Sequence, residues 1–113
     1  MRVDRLHPLP DTRAQFAWSH HASVPAQSGC YALVTYGGDI LYVGLATSSV
    51  RDRMGAHLNS PEKRKPSNLG TAFWFYYFLC TPSEVSAVEL GWMNQAVLED
   101  GDKPVLNKIY SPL

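Results

Sequence analysis

Two adjacent glycines between apolar runs constrain the fold of this 113-residue chain more than any other feature. Gly37 and Gly38 stand between two segments that are rich in Val, Leu, Ile and Tyr. Glycine readily takes the positive φ that two-residue hairpin loops require, so this arrangement predicts a β-hairpin with these glycines as its loop. We expect the hairpin to run from Cys30 to about Leu45.

The predicted loop also determines which residues face each other across the hairpin. Because side chains alternate along a strand, Tyr31, Leu33 and Tyr42 are expected to share one face. Tyr31 and Tyr42 are then diagonal neighbours, within reach of each other's long side chains. Gly44 is expected to leave a gap that a small substrate group can enter; the alternative is that the two tyrosines only pack. The predicted cross-strand pairs are Tyr36 with Asp39, Leu33 with Tyr42, and Tyr31 with Gly44.

The composition indicates a single globular domain without an overall charge. The chain is 45% hydrophobic and 18% charged, with ten basic and ten acidic residues, so a nucleic-acid-binding role needs a local basic patch. No apolar run is long enough to cross a bilayer and no secretion signal follows the N-terminus, which predicts a cytoplasmic protein without membrane association. Cys30 and Cys80 are expected to be free thiols; a disulfide between them is the alternative.

Turn and capping signals divide the rest of the chain into one strand and two helices. Ser49 is the predicted N-cap of a helix that ends before Pro61. The dense aromatic run 71–80 predicts a third strand. Thr81 is expected to begin a second helix, which Gly101 ends. The predicted fold class is therefore α+β, with a small three-stranded antiparallel sheet flanked by helices.

The first part of the chain differs from the rest. Residues 1–28 carry three prolines and few strand signals, so we expect a partly irregular N-terminal arm. Asp11 is expected to cap a short helix that reaches about Trp18. The domain that carries the function is predicted to span residues 29–113.

Apolar residues at helical spacing predict an inward stripe on each helix: Val50, Met54 and Leu58 on the first, and Val85, Val88, Trp92 and Ala96 on the second. Three polar side chains lie on or beside these stripes. Arg53 and His57 are four residues apart; a guanidinium matches phosphate oxygens, and an imidazole can move a proton near neutral pH. Glu89 lies on an inward stripe, where a carboxylate is costly unless it is paired or binds a cation. A Mg²⁺ ion held by one carboxylate, waters and substrate phosphates fits that position. The alternatives are a solvated polar flank for Arg53 and His57, and an edge position for Glu89.

Taken in chain order, these residues resemble the GIY-YIG nuclease family. The resemblance covers roughly residues 29–110 and leaves the arm unmatched. Each of its five parts is weak alone, but the ordered set is specific. The parts are Gly29-Cys30-Tyr31, Tyr42-Val43-Gly44, Val50-Arg51-Asp52-Arg53-Met54 with His57, Glu89, and Lys103-Pro104-Val105-Leu106-Asn107.

The resemblance implies a role for each matching residue. One of the two tyrosines acts as general base, with its pKa depressed by nearby cations. Glu89 holds the Mg²⁺ or Mn²⁺ ion, and Asn107 supports the site. The implied catalytic set is Tyr31, Tyr42, Arg53, His57, Glu89 and Asn107. The expected nucleic-acid contacts are Gly44, Arg51, Lys63, Arg64 and Lys65.

The expected function is metal-dependent endonucleolytic hydrolysis of phosphodiester bonds in nucleic acid, with DNA favoured. The alternatives are a non-catalytic nucleic-acid-binding module and a toxin-like RNase that acts on structured RNA. Because the domain is minimal, we expect weak sequence preference, or targeting through a protein partner, a homodimer or the N-terminal arm.

Overall fold

The computed structural model describes residues 1–107 as one antiparallel sheet with helices on both faces. The strands are β1 (Thr12–Gln15), β2 (Gly29–Thr35), β3 (Ile40–Ala46) and β4 (Ala72–Leu79). The helices are α1 (Trp18–His21), α2 (Val50–Leu58) and α3 (Val85–Asp100), with 3₁₀ turns at Val3–Arg5 and Pro61–Arg64. Within residues 1–107, no helix combines the length and apolar character that a bilayer crossing demands.

The sheet has the strand order β1-β4-β2-β3, and every neighbouring pair is antiparallel. β2 lies inside the sheet and all seven of its residues are buried. The predicted α+β class is confirmed. The predicted number of strands is wrong by one, because the N-terminal arm supplies β1. The end of the predicted domain, residues 108–113, lies outside the described residues.

The hairpin register is confirmed around the two tyrosines. Leu33 lies opposite Tyr42, and Tyr31 lies opposite Gly44. Both tyrosines belong to the same face of the sheet, together with Leu33. The ring centroids of Tyr31 and Tyr42 are 6.2 Å apart, as expected for diagonal neighbours.

The loop of the hairpin differs from the two-residue prediction. The register shifts after Leu33, so Tyr36 and Asp39 are not partners. The Thr35 N–H donates to the Asp39 carbonyl at 2.9 Å, and the Gly38 N–H donates to the Thr35 carbonyl at 3.0 Å. Gly38 has a φ of 104°. The loop therefore has three residues and ends on a left-handed glycine, which is the next most common hairpin type.

The N-terminal arm adds a strand where a helix was expected. β1 pairs with the free edge of β4, so the predicted helix from Asp11 to Trp18 is wrong. Three residues of the arm are buried in the core: Leu6 on one side of the sheet, and Phe16 and Val24 on the other. The local signal for a helix start at Asp11 is overridden because this segment pairs with the edge of β4, whose residues lie about sixty positions later in the chain.

One face of the sheet packs against α2, and we call it the α2 face. The Ser49 hydroxyl accepts a hydrogen bond from the Asp52 N–H at 3.1 Å, so Ser49 caps α2 as predicted. The apolar stripe of α2 lies on the sheet as predicted. The main members of this core are Val50, Met54, Leu58, Tyr31, Leu33 and Phe75.

The opposite face packs against α3, and we call it the α3 face. Val85 and Trp92 are buried there, as the stripe predicts. The helix begins at Val85 and not at Thr81, because the preceding residues form a turn in which the Glu84 carboxylate accepts from the Thr81 N–H at 2.9 Å. Gly101, with a φ of 81°, ends the helix as predicted. Both cysteines are free thiols, as predicted.

Candidate active site

The phenol of Tyr31 lies across Gly44 in the interior of the α2 face. A β-carbon at position 44 would be 2.5 Å from the Tyr31 hydroxyl oxygen, so only glycine leaves room for the ring. The side chain is 1% exposed and stacks on Phe75 with ring centroids 5.1 Å apart. The gap opposite Tyr31 is thus filled by the tyrosine itself. The expectation that a substrate group enters it is wrong, since the long side chain leans over the small neighbour.

His57 and Arg53 both reach the Tyr31 hydroxyl. The Tyr31 oxygen is 2.7 Å from His57 Nε2, and Arg53 Nε donates to the same oxygen at 3.5 Å. Residues four apart lie on one side of a helix, which is why α2 directs both toward the same atom. Arg53 is a donor to this oxygen, and the Tyr31 hydroxyl donates to His57 Nε2 in the imidazole tautomer that carries its hydrogen on Nδ1. Three of the predicted site residues therefore form one hydrogen-bonded group.

Burial sets the charge states in this group. Burial raises the pKa of Tyr31, Tyr42 adds to the increase, and Arg53 opposes it. Burial also lowers the pKa of His57 to about 4, and the charges of Arg53 and Lys63 act in the same direction. At neutral pH the phenol is therefore protonated and the imidazole is uncharged. The expectation that nearby cations depress the pKa of the catalytic tyrosine is wrong, because burial outweighs the cations at both Tyr31 and Tyr42. His57 in this state accepts a proton and does not serve as a cation.

Tyr42 is the more exposed of the two phenols and lies next to a cation. Its ring centroid is 5.0 Å from that of His57. Lys63 Nζ lies 4.7 Å from the centroid of the Tyr42 ring, a cation–π contact. Burial raises the pKa of Tyr42, the charge of Arg53 opposes the increase, and the charge of Glu89 adds to it. The basic segment predicted to contact phosphate thus places one lysine at the edge of the site.

Glu89 extends from α3, which packs on the opposite side of the sheet, yet its charge acts on Tyr42. The carboxylate is half-buried, and burial raises its pKa. Within residues 1–107, none of the ion pairs includes Glu89. A partly desolvated carboxylate without a basic partner in the described chain is a suitable ligand for a divalent cation.

An open cleft of about 370 Å³ lies beside Arg53. Its walls are the end of β3, the hydroxyl-bearing residues 47–49 and the first turn of α2, including the Asp52 carboxylate. The backbone N–H groups of positions 50–53 already donate to backbone carbonyls or to the Ser49 hydroxyl. The N-terminus of α2 therefore offers no free amides to an anion, and the exposed Arg53 guanidinium is the cationic group that lines this cleft.

The other predicted nucleic-acid contacts occupy different surroundings. Arg51 Nε donates to a backbone carbonyl of the N-terminal arm at 2.6 Å, and Arg64 donates to a carbonyl at the end of α2 at 3.3 Å. Lys65 is exposed. Among the predicted phosphate contacts, Lys63 joins the site, whereas Arg51 and Arg64 hold backbone. Phosphate contacts by these residues stay predictions.

Asn107 holds the outer edge of β3. The Val43 N–H donates to Asn107 Oδ1, and Asn107 Nδ2 donates to the Val43 carbonyl, both at 3.0 Å. Among residues 1–107 this edge of β3 has no neighbouring strand, and one amide side chain satisfies both backbone groups of the residue between Tyr42 and Gly44. These two hydrogen bonds join Asn107 to the backbone of Val43 and not to another predicted site residue. Within the predicted catalytic set, Asn107 is therefore a positioning residue.

Two features of the site were not identified from the sequence. Phe75 stacks on Tyr31, and Thr47 and Ser48 line the cleft with Ser49. Alternation along β4 could have placed Phe75 on one face, but only the strand order puts that face against Tyr31. Hydroxyls in a short strand-to-helix connection carry no distinctive spacing.

Comparison of the sequence with protein-family models gives no match, and a search among curated proteins also gives none. The interpretation of the site therefore depends on the residues and contacts described above. The resemblance to GIY-YIG nucleases stays a prediction from the order of the motifs.

Proposed function

We propose that this protein is a metal-dependent endonuclease that hydrolyses phosphodiester bonds in nucleic acid, with DNA favoured, as the resemblance to GIY-YIG nucleases implies. The observation that supports this most is the hydrogen-bonded group of Tyr31, His57 and Arg53. A phenol held between a proton acceptor and a guanidinium suits proton removal from a water next to a phosphate. The half-buried Glu89 carboxylate adds a ligand for a cation.

Tyr31 takes a proton from the attacking water while its own proton passes to His57 Nε2. The raised pKa of Tyr31 makes a standing phenolate unfavourable, so the oxygen accepts one proton only as it releases another. His57 is neutral, since its pKa is about 4, and lies 2.7 Å away to receive it. A bound phosphate brings negative charge, which raises the pKa of His57 and favours this transfer.

Arg53 links the proton-transfer group to the cleft. Its guanidinium touches the Tyr31 oxygen and also lines the cleft of about 370 Å³. It therefore stabilises the phenol oxygen and neutralises the charge that grows on the phosphate in the transition state. Lys63, beside Tyr42, adds a second positive charge at the same edge.

A Mg²⁺ or Mn²⁺ ion bound at Glu89 would supply Lewis-acid stabilisation of the phosphate and of the leaving oxygen. Glu89 fits this ion because the carboxylate is half-buried and belongs to none of the ion pairs within residues 1–107. In the described part of the chain, no cluster of three or more His, Cys, Asp or Glu side chains is arranged to hold a metal. Water and phosphate oxygens would therefore complete the coordination of a cation held by Glu89, and such a cation would bind best with substrate.

A second candidate function is a nucleic-acid-binding module without catalysis. The observation in its favour is that Tyr31 is 1% exposed, which closes its hydroxyl to solvent in this arrangement of side chains. In this alternative, the buried group only shapes the surface around Arg53 and Lys63. Binding that needs no divalent ion and yields no product on any substrate supports this alternative.

Cleavage of plasmid DNA and labelled oligonucleotides with Mg²⁺ tests the proposal. We expect Glu89→Ala and Arg53→Ala each to lower the rate at least about 100-fold, the usual effect of removing one group that stabilises transition-state charge. Glu99→Ala is the matched control on α3, since it removes only a surface ion pair with Arg5. Arg5→Ala, at the other end of that ion pair, is the control for loss of a guanidinium outside the site.

The outcomes of these cleavage assays distinguish the roles of single residues, the preferred substrate and the nuclease activity itself. Cleavage that survives both site substitutions refutes the assigned roles of Glu89 and Arg53. A substrate panel of duplex, branched and single-stranded DNA and a folded RNA identifies the preferred nucleic acid, and cleavage confined to the RNA favours the RNase alternative. Wild-type protein that cleaves nothing with Mg²⁺ or Mn²⁺ rejects the nuclease proposal as a whole.

A further inference from the structure

The tip of the β2–β3 hairpin carries a second surface with the chemistry of a nucleic-acid contact. Tyr36 lies in the loop and is 74% exposed. Its ring stacks on Trp74 at a centroid distance of 6.3 Å and meets the edge of Phe73 at 5.0 Å. Stabilisation of the core does not explain an aromatic residue at this position, because most of the Tyr36 surface is exposed to solvent.

The surrounding contacts hold this ring in place. Trp74 Nε1 donates to the Tyr36 carbonyl at 3.4 Å, which ties the loop to β4. Arg13 lies over the opposite part of the same surface, with its guanidinium carbon 3.7 Å from the centroid of the Trp74 ring. The rings are therefore ordered before any ligand arrives, which lowers the entropic cost of binding.

Cations and a cleft complete the surface. Arg2 Nη1 donates to the Gly37 carbonyl at 2.8 Å, so a second guanidinium lies at the loop. An open cleft of about 420 Å³ runs beside Tyr36, with Phe73 and Leu69 in its apolar wall. Asp39 also lines that cleft, so its interior suits an uncharged base, while Arg2 and Arg13 suit the phosphates outside it.

We propose that this hairpin-tip surface stacks unpaired nucleobases of a single-stranded nucleic acid, with Tyr36 as the main platform. Base stacking on aromatic rings tolerates any sequence, and nearby arginines add cation–π and phosphate contacts. Bases inside a duplex are already stacked and cannot cover Tyr36. The surface lies roughly 20 Å along the hairpin from the cleft beside Arg53. It rests on the proposed function in that it names the substrate class: nucleic acid with unpaired bases near the cleavage point.

Binding of a fluorescein-labelled oligothymidylate, followed by anisotropy in EDTA, tests the surface without cleavage. We expect the wild type to bind this single strand more tightly than a duplex of the same length. Tyr36→Ala should weaken single-strand binding about 5- to 150-fold, the range that loss of one stacked base implies. Tyr36→Phe should retain the affinity, because the stacking ring remains.

Trp18→Ala is the matched control, since Trp18 is also half-exposed but belongs to α1, and its ring contacts His21 and not Tyr36. The proposal is overturned if Tyr36→Ala binds like the wild type, if Trp18→Ala weakens binding equally, or if the wild type does not bind oligothymidylate. Thermal melts verify that each variant is folded. The binding assay in EDTA and the cleavage assay with Mg²⁺ test the two proposals separately. Binding that depends on Tyr36, with no cleavage in the second assay, rejects only the nuclease. Cleavage in the second assay, with binding that does not depend on Tyr36, rejects only this surface.

Discussion

The two faces of the sheet bury different kinds of groups. The α3 face encloses mostly apolar side chains, such as Leu6, Val43 and Trp92. The α2 face buries the Tyr31 hydroxyl and the His57 imidazole within an otherwise apolar core. Replacing both partners of a buried hydrogen bond by apolar groups is nearly neutral or stabilising, so stability alone does not require this pair. Under the proposed function, the α2 face keeps polar groups for proton transfer, whereas the interior of the α3 face stabilises the fold and α3 contributes the half-buried Glu89.

Truncation on the α3 face should have the largest effect on stability. Trp92 is fully buried, and its Nε1 donates to the Pro8 carbonyl at 2.8 Å. We expect Trp92→Ala to lower the free energy of unfolding by about 3–5 kcal/mol, measured by urea titration. Trp18→Ala removes a half-exposed ring and should cost less than about 1 kcal/mol. Equal costs for the two substitutions would contradict the close packing of Trp92 in the core of the α3 face.

A methyl group at position 44 should disturb the α2 face specifically. The added β-carbon in Gly44→Ala would lie 2.5 Å from the Tyr31 hydroxyl oxygen, so the phenol must move away from His57. We expect a loss of about 1–3 kcal/mol in unfolding free energy, as for overpacked cores, together with reduced cleavage. Gly37→Ala is the matched control, since nothing lies within 4 Å of a β-carbon there. Equal free energies of unfolding for the two variants would show that Tyr31 can move aside at little cost and that its packing against Gly44 is not rigid.

The hairpin and the stripes of the two long helices were predictable because their signals are local. Alternation and the position of the glycine turn predicted the pairing of Tyr31 with Gly44, which holds because the register shift after Leu33 offsets the third loop residue. The capping residue predicted the start of α2. β1 was not predictable in this way. Its partner β4 lies far along the chain, and no local pattern near residue 12 shows that the edge of β4 is free.

The site was predicted in part for the same reason. The i, i+4 spacing placed Arg53 and His57 on one side of α2, but their convergence on the Tyr31 hydroxyl depends on how α2 crosses the sheet. Alternation put Tyr31 opposite Gly44, yet it could not show that the phenol itself fills the space there. Motif order suggested the residues; only tertiary packing decides which atoms touch.

His57 should make stability depend on pH. Its pKa is about 4 in the folded state against an ordinary value of 6.5, so the unfolded chain binds the proton more readily. The contribution is fully present above about pH 6.5 and is lost as the pH falls toward 4. We expect a loss of about 2 kcal/mol between pH 7 and pH 5 from this residue alone, measured by urea unfolding at each pH.

The comparison with His57→Gln isolates this effect. Burial raises the pKa of Glu89, so Glu89 favours the folded state as the pH falls and acts against His57. Both proteins retain Glu89, and the difference between their stability profiles therefore reports His57. His20→Gln, at an exposed position of α1, should leave the wild-type profile unchanged. Parallel profiles for wild type and His57→Gln would show that the imidazole titrates normally in the α2 face.

Lys63 should give the smallest effect and the most specific one. Its ammonium contacts the Tyr42 ring and lowers the pKa of His57, so Lys63→Gln should raise that pKa from about 4. The unfolding free energy should change by only about 0.5–1 kcal/mol, as for an exposed cation–π contact. An NMR titration of the His57 ring protons measures the shift, and Lys65→Gln, exposed in the same segment, is the matched control. A pKa shift in both variants would mean that the diffuse charge of this segment acts on His57. A shift in Lys63→Gln alone would show that one lysine acts on the buried imidazole of the α2 face. The core of the α3 face, by contrast, is mostly apolar.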